Sequence, residues 1–165
     1  MSRVAVVRDP GNHTGIGIWG AILSVSPSFG VELRLVNVRD AGEIERALTA
    51  FAGSTNGGLI VTGSVQAVMH RDLIIALAAR HRLPAVYYEP YFAAAGGLIA
   101  YGPRVPEQYR LAAGYIDRIL RGERPADPPV QAMTKYELAI NLKTANALGL
   151  EVPPTLLARA DEVIE

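Results

Sequence analysis

Near its amino terminus the chain reads Val4-Ala5-Val6-Val7-Arg8-Asp9-Pro10-Gly11-Asn12-His13-Thr14-Gly15. A short apolar run ends abruptly in Asp, Pro, Gly and Asn, and a second apolar stretch of helical length follows. A continuous apolar run is typical of a strand buried on both faces, and therefore of the centre of a parallel sheet. In open α/β sheets, ligands bind outside the carboxyl ends of the strands. The loop after Arg8 is therefore predicted to border a ligand site.

Four more strands are predicted, over 32–38, 59–61, 85–88 and 97–101, and helical or turn segments separate them. The segment 32–38 alternates polar and apolar residues, which indicates a wetter strand near an edge. Right-handed crossovers favour the strand order 2-1-3-4-5. The predicted fold class is α/β, a three-layer αβα doubly wound parallel sheet with helices on both faces and an added C-terminal strand.

Helices are predicted between these strands from caps and periodicity. The first runs from about Gly15 to Ser26. Asp40 is placed as the N-cap of a second, whose apolar residues recur at helical spacing through Phe51. A third passes through Leu73 to Arg82, and a short Ala-rich turn precedes the fifth strand.

The pattern changes beyond Pro103, so the chain is divided into 1–102, 103–129 and 130–165. The middle part holds a helix that ends at Gly122 and a proline-rich segment, 123–129, predicted as an extended linker. In the last part, 136–140 is predicted as a sixth strand. Asn141 caps a helix that Gly149 stops, and a last short helix runs from Pro153 to the terminal Asp161–Glu165 segment.

Composition excludes several classes of protein. The chain has 165 residues, half of them apolar, with no net charge and no cysteine. A chain of this length buries about 70% of its unfolded surface as one domain. Balanced charge argues against binding nucleic acid through net charge, and no apolar run is long enough to span a membrane. Met1 and Ser2 lead directly into the first strand, which predicts that no signal peptide is present in this chain.

A literal G-x-G-x-x-G occurs at Gly15, Gly17 and Gly20, with Asp40 downstream, and suggests a dinucleotide site. In that fingerprint the first glycine forms the turn at the strand end, whereas here Asp9 to Thr14 intervene. Close helix packing explains the glycines as well, and capping explains Asp40.

Other catalytic patterns fit poorly. A response-regulator receiver shares this topology, but it needs a carboxylate after the third strand and a lysine after the fifth, where this chain has Thr62-Gly63-Ser64 and Tyr101-Gly102. Ser64 lacks a G-x-S-x-G context. The three histidines are scattered, and the acids lack the spacing of metal ligands. No catalytic residue, metal or cofactor is therefore predicted.

Hydrogen-bonding and aromatic side chains remain at the predicted strand ends. Hydroxyls and amides can orient a small polar ligand, an acid can meet an ammonium group, and a tyrosine can stack on a ring. Asx turns and helix caps explain several of these residues equally well. The predicted ligand-binding residues are Asp9, Asn12, Thr62, Ser64, Tyr88, Glu89 and Tyr101.

The carboxyl-terminal sequence carries a resemblance. Thr134-Lys135-Tyr136-Glu137-Leu138-Ala139-Ile140-Asn141-Leu142-Lys143-Thr144-Ala145 continues through Leu148-Gly149-Leu150 to Val152-Pro153-Pro154-Thr155-Leu156-Leu157-Ala158-Arg159-Ala160-Asp161-Glu162-Val163-Ile164. This resembles the end of a family of ABC-transporter substrate-binding proteins, the group that includes aromatic amino-acid binders. Gly96-Gly97-Leu98-Ile99-Ala100-Tyr101-Gly102-Pro103, Ile119-Leu120-Arg121-Gly122, Arg80-His81-Arg82-Leu83-Pro84-Ala85 and Arg3-Val4-Ala5-Val6-Val7 match it as well.

The resemblance implies a periplasmic-binding-protein-like lobe, the carboxyl-terminal one of two that close on a small-molecule ligand. It also implies an exported, periplasmic or extracytoplasmic protein that delivers solute to an ABC permease without catalysis. The helix around 106–120 would pack on the other lobe, or on a second copy in a homodimer. The alternative function is a stand-alone nucleotide-binding or enzymatic Rossmann-like domain, and a third is a ligand-sensing module.

Overall fold

A computed structural model of the chain describes residues 3–54 and 56–165. The prediction about a leader concerns Met1 and Ser2, which lie outside the described residues. One sheet contains seven strands: β1 (Arg3–Arg8), β2 (Glu32–Asn37), β3 (Gly57–Val61), β4 (Ala85–Tyr87), β5 (Ile99–Pro103), β6 (Tyr136–Asn141) and β7 (Glu162–Ile164). Their order is β2-β1-β3-β4-β5-β6-β7, which confirms the predicted 2-1-3-4-5 and the edge position of β2.

Among the described residues, eight α-helices connect or follow these strands, and a short 3-10 helix, Ser26–Phe29, precedes β2. The α-helices are α1 (His13–Val25), α2 (Ala41–Ala52), α3 (Val65–Met69), α4 (Arg71–Arg80), α5 (Pro90–Ala94), α6 (Val105–Leu120), α7 (Leu142–Ala147) and α8 (Pro154–Leu157). The predicted caps form. Asp40 Oδ1 accepts from Glu43 N at 2.7 Å, and Asn141 Oδ1 accepts from Thr144 N at 3.0 Å. Within the described ranges, every helix is too short or too polar to cross a membrane.

The main core lies on one face of the sheet, against α2, α4 and α5. Alternate residues of the central strand β1, Ala5 and Val7, are fully buried there, with Ile44 and Leu48 of α2 and Ile74 of α4. Side chains alternate along a strand, so Val6 and Arg8 point to the opposite face. Buried Gly15 places the start of α1 beside Arg8.

The structure corrects the prediction for the last residues. The terminal segment is not helical: residues 162–164 form β7, parallel to β6. Asp161 starts this pairing, because its backbone N donates to Leu138 O at 2.8 Å and its carboxylate accepts from Leu138 N at 2.8 Å. Pairing with an open strand edge satisfies backbone groups that a helix of this length leaves unpaired.

Smaller differences concern the middle of the chain. Strand β6 is antiparallel to β5, so the sheet is mixed rather than all parallel. The Ala-rich turn is the short helix α5, and a separate helix, α3, precedes α4. The proline-rich segment is not extended throughout, because Asp127 N bonds to Arg124 O at 3.0 Å and forms a turn.

Helix α6 lies apart from the core and has no buried residue. Its start is tied to the strand that follows, since Arg104 N donates to Lys135 O at 3.0 Å and Lys135 Nζ lies 3.1 Å from a Glu107 oxygen. Its apolar face remains open: Tyr109 and Ile116 are exposed, and Leu120 is 82% exposed.

Gly102 is required by the close approach of β5 to the chain after β4. A Cβ atom on Gly102 would lie 1.7 Å from Tyr88 O, a backbone atom that cannot move without shifting the chain around it.

We expect Gly102→Ala to lower the free energy of unfolding by about 3 kcal/mol or more, measured by urea titration. Gly20→Ala is the control, because Gly20 lies inside α1 with open space around it, and there alanine should add about 0.5–1 kcal/mol. Equal effects of the two substitutions would contradict the close approach.

Candidate functional site

The ends of β1 and β3 are fixed by one carbonyl. Val7 O accepts from the backbone N of Thr62 at 3.0 Å and from its hydroxyl at 2.9 Å. This is the topological switch point, since the chain leaves β1 toward β2 on one side and leaves β3 toward β4 on the other. The crevice therefore opens directly beyond Thr62.

The loop after β1 is organised by its own polar side chains. Asp9 Oδ1 accepts from Gly11 N at 2.8 Å, and Asn12 Oδ1 caps α1 by accepting from Thr14 N at 3.0 Å. Asn12 Nδ2 also reaches across the switch point to Gly63 O at 3.4 Å. The loop after β1 and the loop after β3 are thus in contact.

A cavity of about 280 Å³ opens at the carboxyl ends of β3 and β4, between α3 and α5. Its wall is almost entirely apolar, with Val65, Val68 and Met69 of α3 on one side and Phe92 of α5 on another. Four of the predicted ligand-binding residues line it: Thr62, Ser64, Tyr88 and Glu89.

Local geometry explains how these four residues reach the cavity. Ser64 Oγ accepts from Ala67 N at 3.1 Å, so it caps α3 where the helix begins at the cavity edge. The Tyr88 ring lies against Gly63, where a Cβ atom would come within 2.6 Å of the ring. Glycine at this position therefore lets the ring cover the end of β3.

Glu89 is the charged residue of the cavity wall. It is half-buried at the N-cap position of α5, yet its side chain makes no capping hydrogen bond. Burial raises the pKa of the Glu89 carboxyl, and the nearby charge of Glu137 raises it further. Glu137 is itself paired with Arg104 at 2.6 Å. Burial, the charge of Glu89 and the neighbouring Tyr136 phenol also raise the pKa of Tyr88.

The other three predicted residues do not line this cavity. Asn12 borders it through the contact with Gly63, and Asp9 lies beside Asn12 in the same loop, where Asp9 O accepts from Asn12 N at 3.2 Å. Tyr101 lies inside β5, is 56% exposed and stacks on Tyr136 with ring centroids 5.5 Å apart. It belongs to the same edge of the sheet but to a separate aromatic surface.

The apolar wall and Glu137 were not anticipated. In the sequence, Val68 and Met69 fit the middle of a helix. Their exposure on the short helix α3 shows that they belong to the cavity wall. Glu137 lies in β6, which comes from a distant part of the chain and pairs with β5, and this pairing brings Glu137 near Glu89.

Across residues 3–54 and 56–165, no group of three or more His, Cys, Asp or Glu side chains could hold a metal ion.

Three solved structures share the fold over nearly the whole chain. A conserved domain protein from Vibrio cholerae superposes with a TM-score of 0.89 at 20% identity, covering 98% of this chain and 54% of that one. An ABC domain in complex with L-Trp from Streptococcus pneumonia gives 0.89 at 18% identity, with coverage of 99% and 55%. The ligand-free, open CD0873, a substrate-binding protein with adhesive properties from Clostridium difficile, gives 0.72 at 16%, with coverage of 99% and 54%.

This chain spans about half the length of each of these structures. No curated protein matches it. The family described as ABC transporter substrate binding protein matches residues 1–164, which is almost every residue of the chain. Sheet order, switch-point crevice and family match agree, and the chain belongs to the substrate-binding protein family of ABC transporters.

Proposed function

We propose that this chain is one lobe of a solute-binding protein that binds a small polar molecule, such as an amino acid, and delivers it to an ABC permease. The observation that carries the proposal is a cavity at the switch-point edge in a chain that matches this family from end to end. The ligand-binding residues proposed are Asp9, Asn12, Thr62, Ser64, Tyr88, Glu89 and Tyr101. In this function the protein acts in the periplasm or elsewhere outside the cytoplasm, and has no catalytic residue.

The cavity supports a half-site rather than a complete site. Small-molecule sites typically enclose 300–1,000 Å³ and bury about 70–90% of the ligand. The volume of about 280 Å³ here is open on one side. Because each hydrogen bond contributes about 0.5–1.5 kcal/mol, losing three or four from an opposing lobe turns a micromolar ligand into a millimolar one. The isolated chain is therefore expected to bind weakly.

The same proposal divides the chain into three parts with different roles. Residues 1–102 form the ligand-binding lobe, and 130–165 form a return strand with the terminal elements. The segment 103–129, which contains α6, packs on an opposing lobe through its open apolar face. Support comes from the exposure of that face and from relatives about twice as long.

An aromatic amino acid is the ligand type that we favour. One structural neighbour is in complex with L-Trp. Here Tyr88 and Phe92 supply ring surfaces in the cavity wall, and Tyr101 supplies another nearby.

The nucleotide-binding alternative lacks structural support. Gly17 and Gly20 lie inside α1, exposed and with open space around them, and they do not form the turn after β1. A pyrophosphate cradle needs that turn at the strand end. The three histidines are also dispersed, since His13 begins α1 and His70 and His81 flank the two ends of α4.

Blocking the cavity tests ligand binding. Val65 is 72% exposed on the cavity wall, so Val65→Arg should fold normally while its side chain fills the opening. We expect millimolar L-tryptophan to shift amide NMR signals of residues 61–69 and 88–92 in the parent chain. The shifts should shrink at least about tenfold in the variant. Phe29→Arg is the matched control, because Phe29 is 75% exposed at the opposite end of the sheet and its change should leave the shifts intact. Shifts that survive Val65→Arg would contradict this site.

The open face of α6 gives a second prediction. A face shaped for an opposing lobe is exposed when that lobe is absent, so this chain should self-associate through it. We expect the double change Ile116→Lys and Leu120→Lys to abolish concentration-dependent association in sedimentation velocity. At a dilution where the parent chain is monomeric, the Tm should stay within about 2 °C, because both side chains are exposed.

Arg121→Glu changes charge on the polar side of α6 and serves as the control, with association expected to persist. A lowered Tm in the double variant, or unchanged association, would contradict the proposed role of this face.

A further inference from the structure

We propose that the cavity beside Glu89 receives the ammonium end of an amine with an apolar body, so that this lobe selects a cation and rejects a carboxylate. The inference rests on the proposed solute-binding function and narrows the class of ligand. It concerns which end of the ligand this lobe holds.

Two hydroxyl groups of the cavity wall are already engaged within the protein. The Thr62 hydroxyl donates to Val7 O at 2.9 Å, so it has no proton left for a ligand. Ser64 Oγ accepts from Ala67 N at 3.1 Å and retains only its own proton. Glu89 differs, because it borders the cavity and its carboxylate makes no hydrogen bond or ion pair within residues 3–54 and 56–165. The edge of the cavity therefore offers an acceptor with full charge.

No positive side chain belongs to this wall. None of its residues, all within the described part of the chain, is lysine, arginine or histidine. The neighbouring cations are held by other acids: Arg104 lies 2.6 Å from Glu137, and Arg71 lies 2.8 Å from Asp72. A ligand carboxylate placed here would lose water, face Glu89 and gain no counter-charge.

Aromatic surfaces complete the case for a cation. The ring of Tyr88, the residue before Glu89, covers Gly63, and Phe92 forms part of the cavity wall. Ring faces attract an ammonium group through their quadrupole, and the same rings pack on an apolar ligand body. Val68 and Met69 extend this apolar surface along α3.

Burial of Glu89 adds a physical reason for selectivity. A half-buried carboxylate with a second acid nearby is costly as an anion, which is why its pKa is raised. An incoming ammonium group offsets that cost, whereas a neutral ligand leaves it in place. Selectivity thus comes from a charge that the fold does not neutralise.

Two indole probes of opposite charge test the inference on this chain. Tryptamine carries an ammonium group and indole-3-acetate a carboxylate, and both have the same ring. Each is titrated separately at millimolar concentration while the amide signals of residues 61–69 and 88–92 are followed by NMR. We expect tryptamine to bind at least about tenfold more tightly, which corresponds to one charge-assisted hydrogen bond.

Glu89→Gln keeps the shape of the side chain and removes its charge, so the preference for tryptamine should disappear. Glu32→Gln is the matched control, because Glu32 is exposed at the amino end of the edge strand β2 and its change should keep the preference. A preference that survives Glu89→Gln, or tighter binding of indole-3-acetate at the same amides, would overturn the inference and leave the solute-binding site standing. If neither probe shifts these amides, the proposed site fails together with the inference.

Discussion

One buried carbonyl sets the geometry on which the rest depends. Val7 O accepts two hydrogen bonds from Thr62, one from the backbone and one from the hydroxyl. Because these bonds join β1 to β3 at their last paired residues, they determine where both strands stop and where the loops diverge. Every group at the crevice is placed relative to that point. Asn12 reaches the same junction from α1, which links the loop after β1 to the edge of the cavity.

Hydrogen bonds within the protein engage several of the polar side chains near the cavity. Asp9, Asn12 and Ser64 use their side chains to shape turns and cap helices. The wall between α3 and α5 is apolar, and Glu89 borders it with a carboxylate that has no ion pair within residues 3–54 and 56–165. In the proposed function, this site discriminates by charge and by ring packing, and an opposing lobe supplies most of the directional hydrogen bonds.

Features set by neighbouring residues could be predicted from the sequence. The apolar run of β1, the alternation of β2 and the caps Asp40 and Asn141 each depend on local chemistry. Long-range pairing was less accessible: β7 forms because Asp161 meets Leu138, and no local signal marks that contact. Tyr101 was placed at a strand end, but β5 continues to Pro103 because β6 pairs with it. The pairing holds Tyr101 within the sheet and outside the cavity.

The segment between β5 and β6 leaves the sheet and returns to it at the same place. Pro103 and Tyr136 are directly opposite each other in the antiparallel pair, so residues 104–135 form a closed insertion in what is otherwise a hairpin. Loop-closure entropy grows slowly with length, and each doubling costs only about 0.6 kcal/mol. Evolution can therefore lengthen, shorten or re-surface this insertion with little effect on the sheet. Under the proposed function, the segment that packs on an opposing lobe is thermodynamically separable from the lobe proposed to hold the ligand.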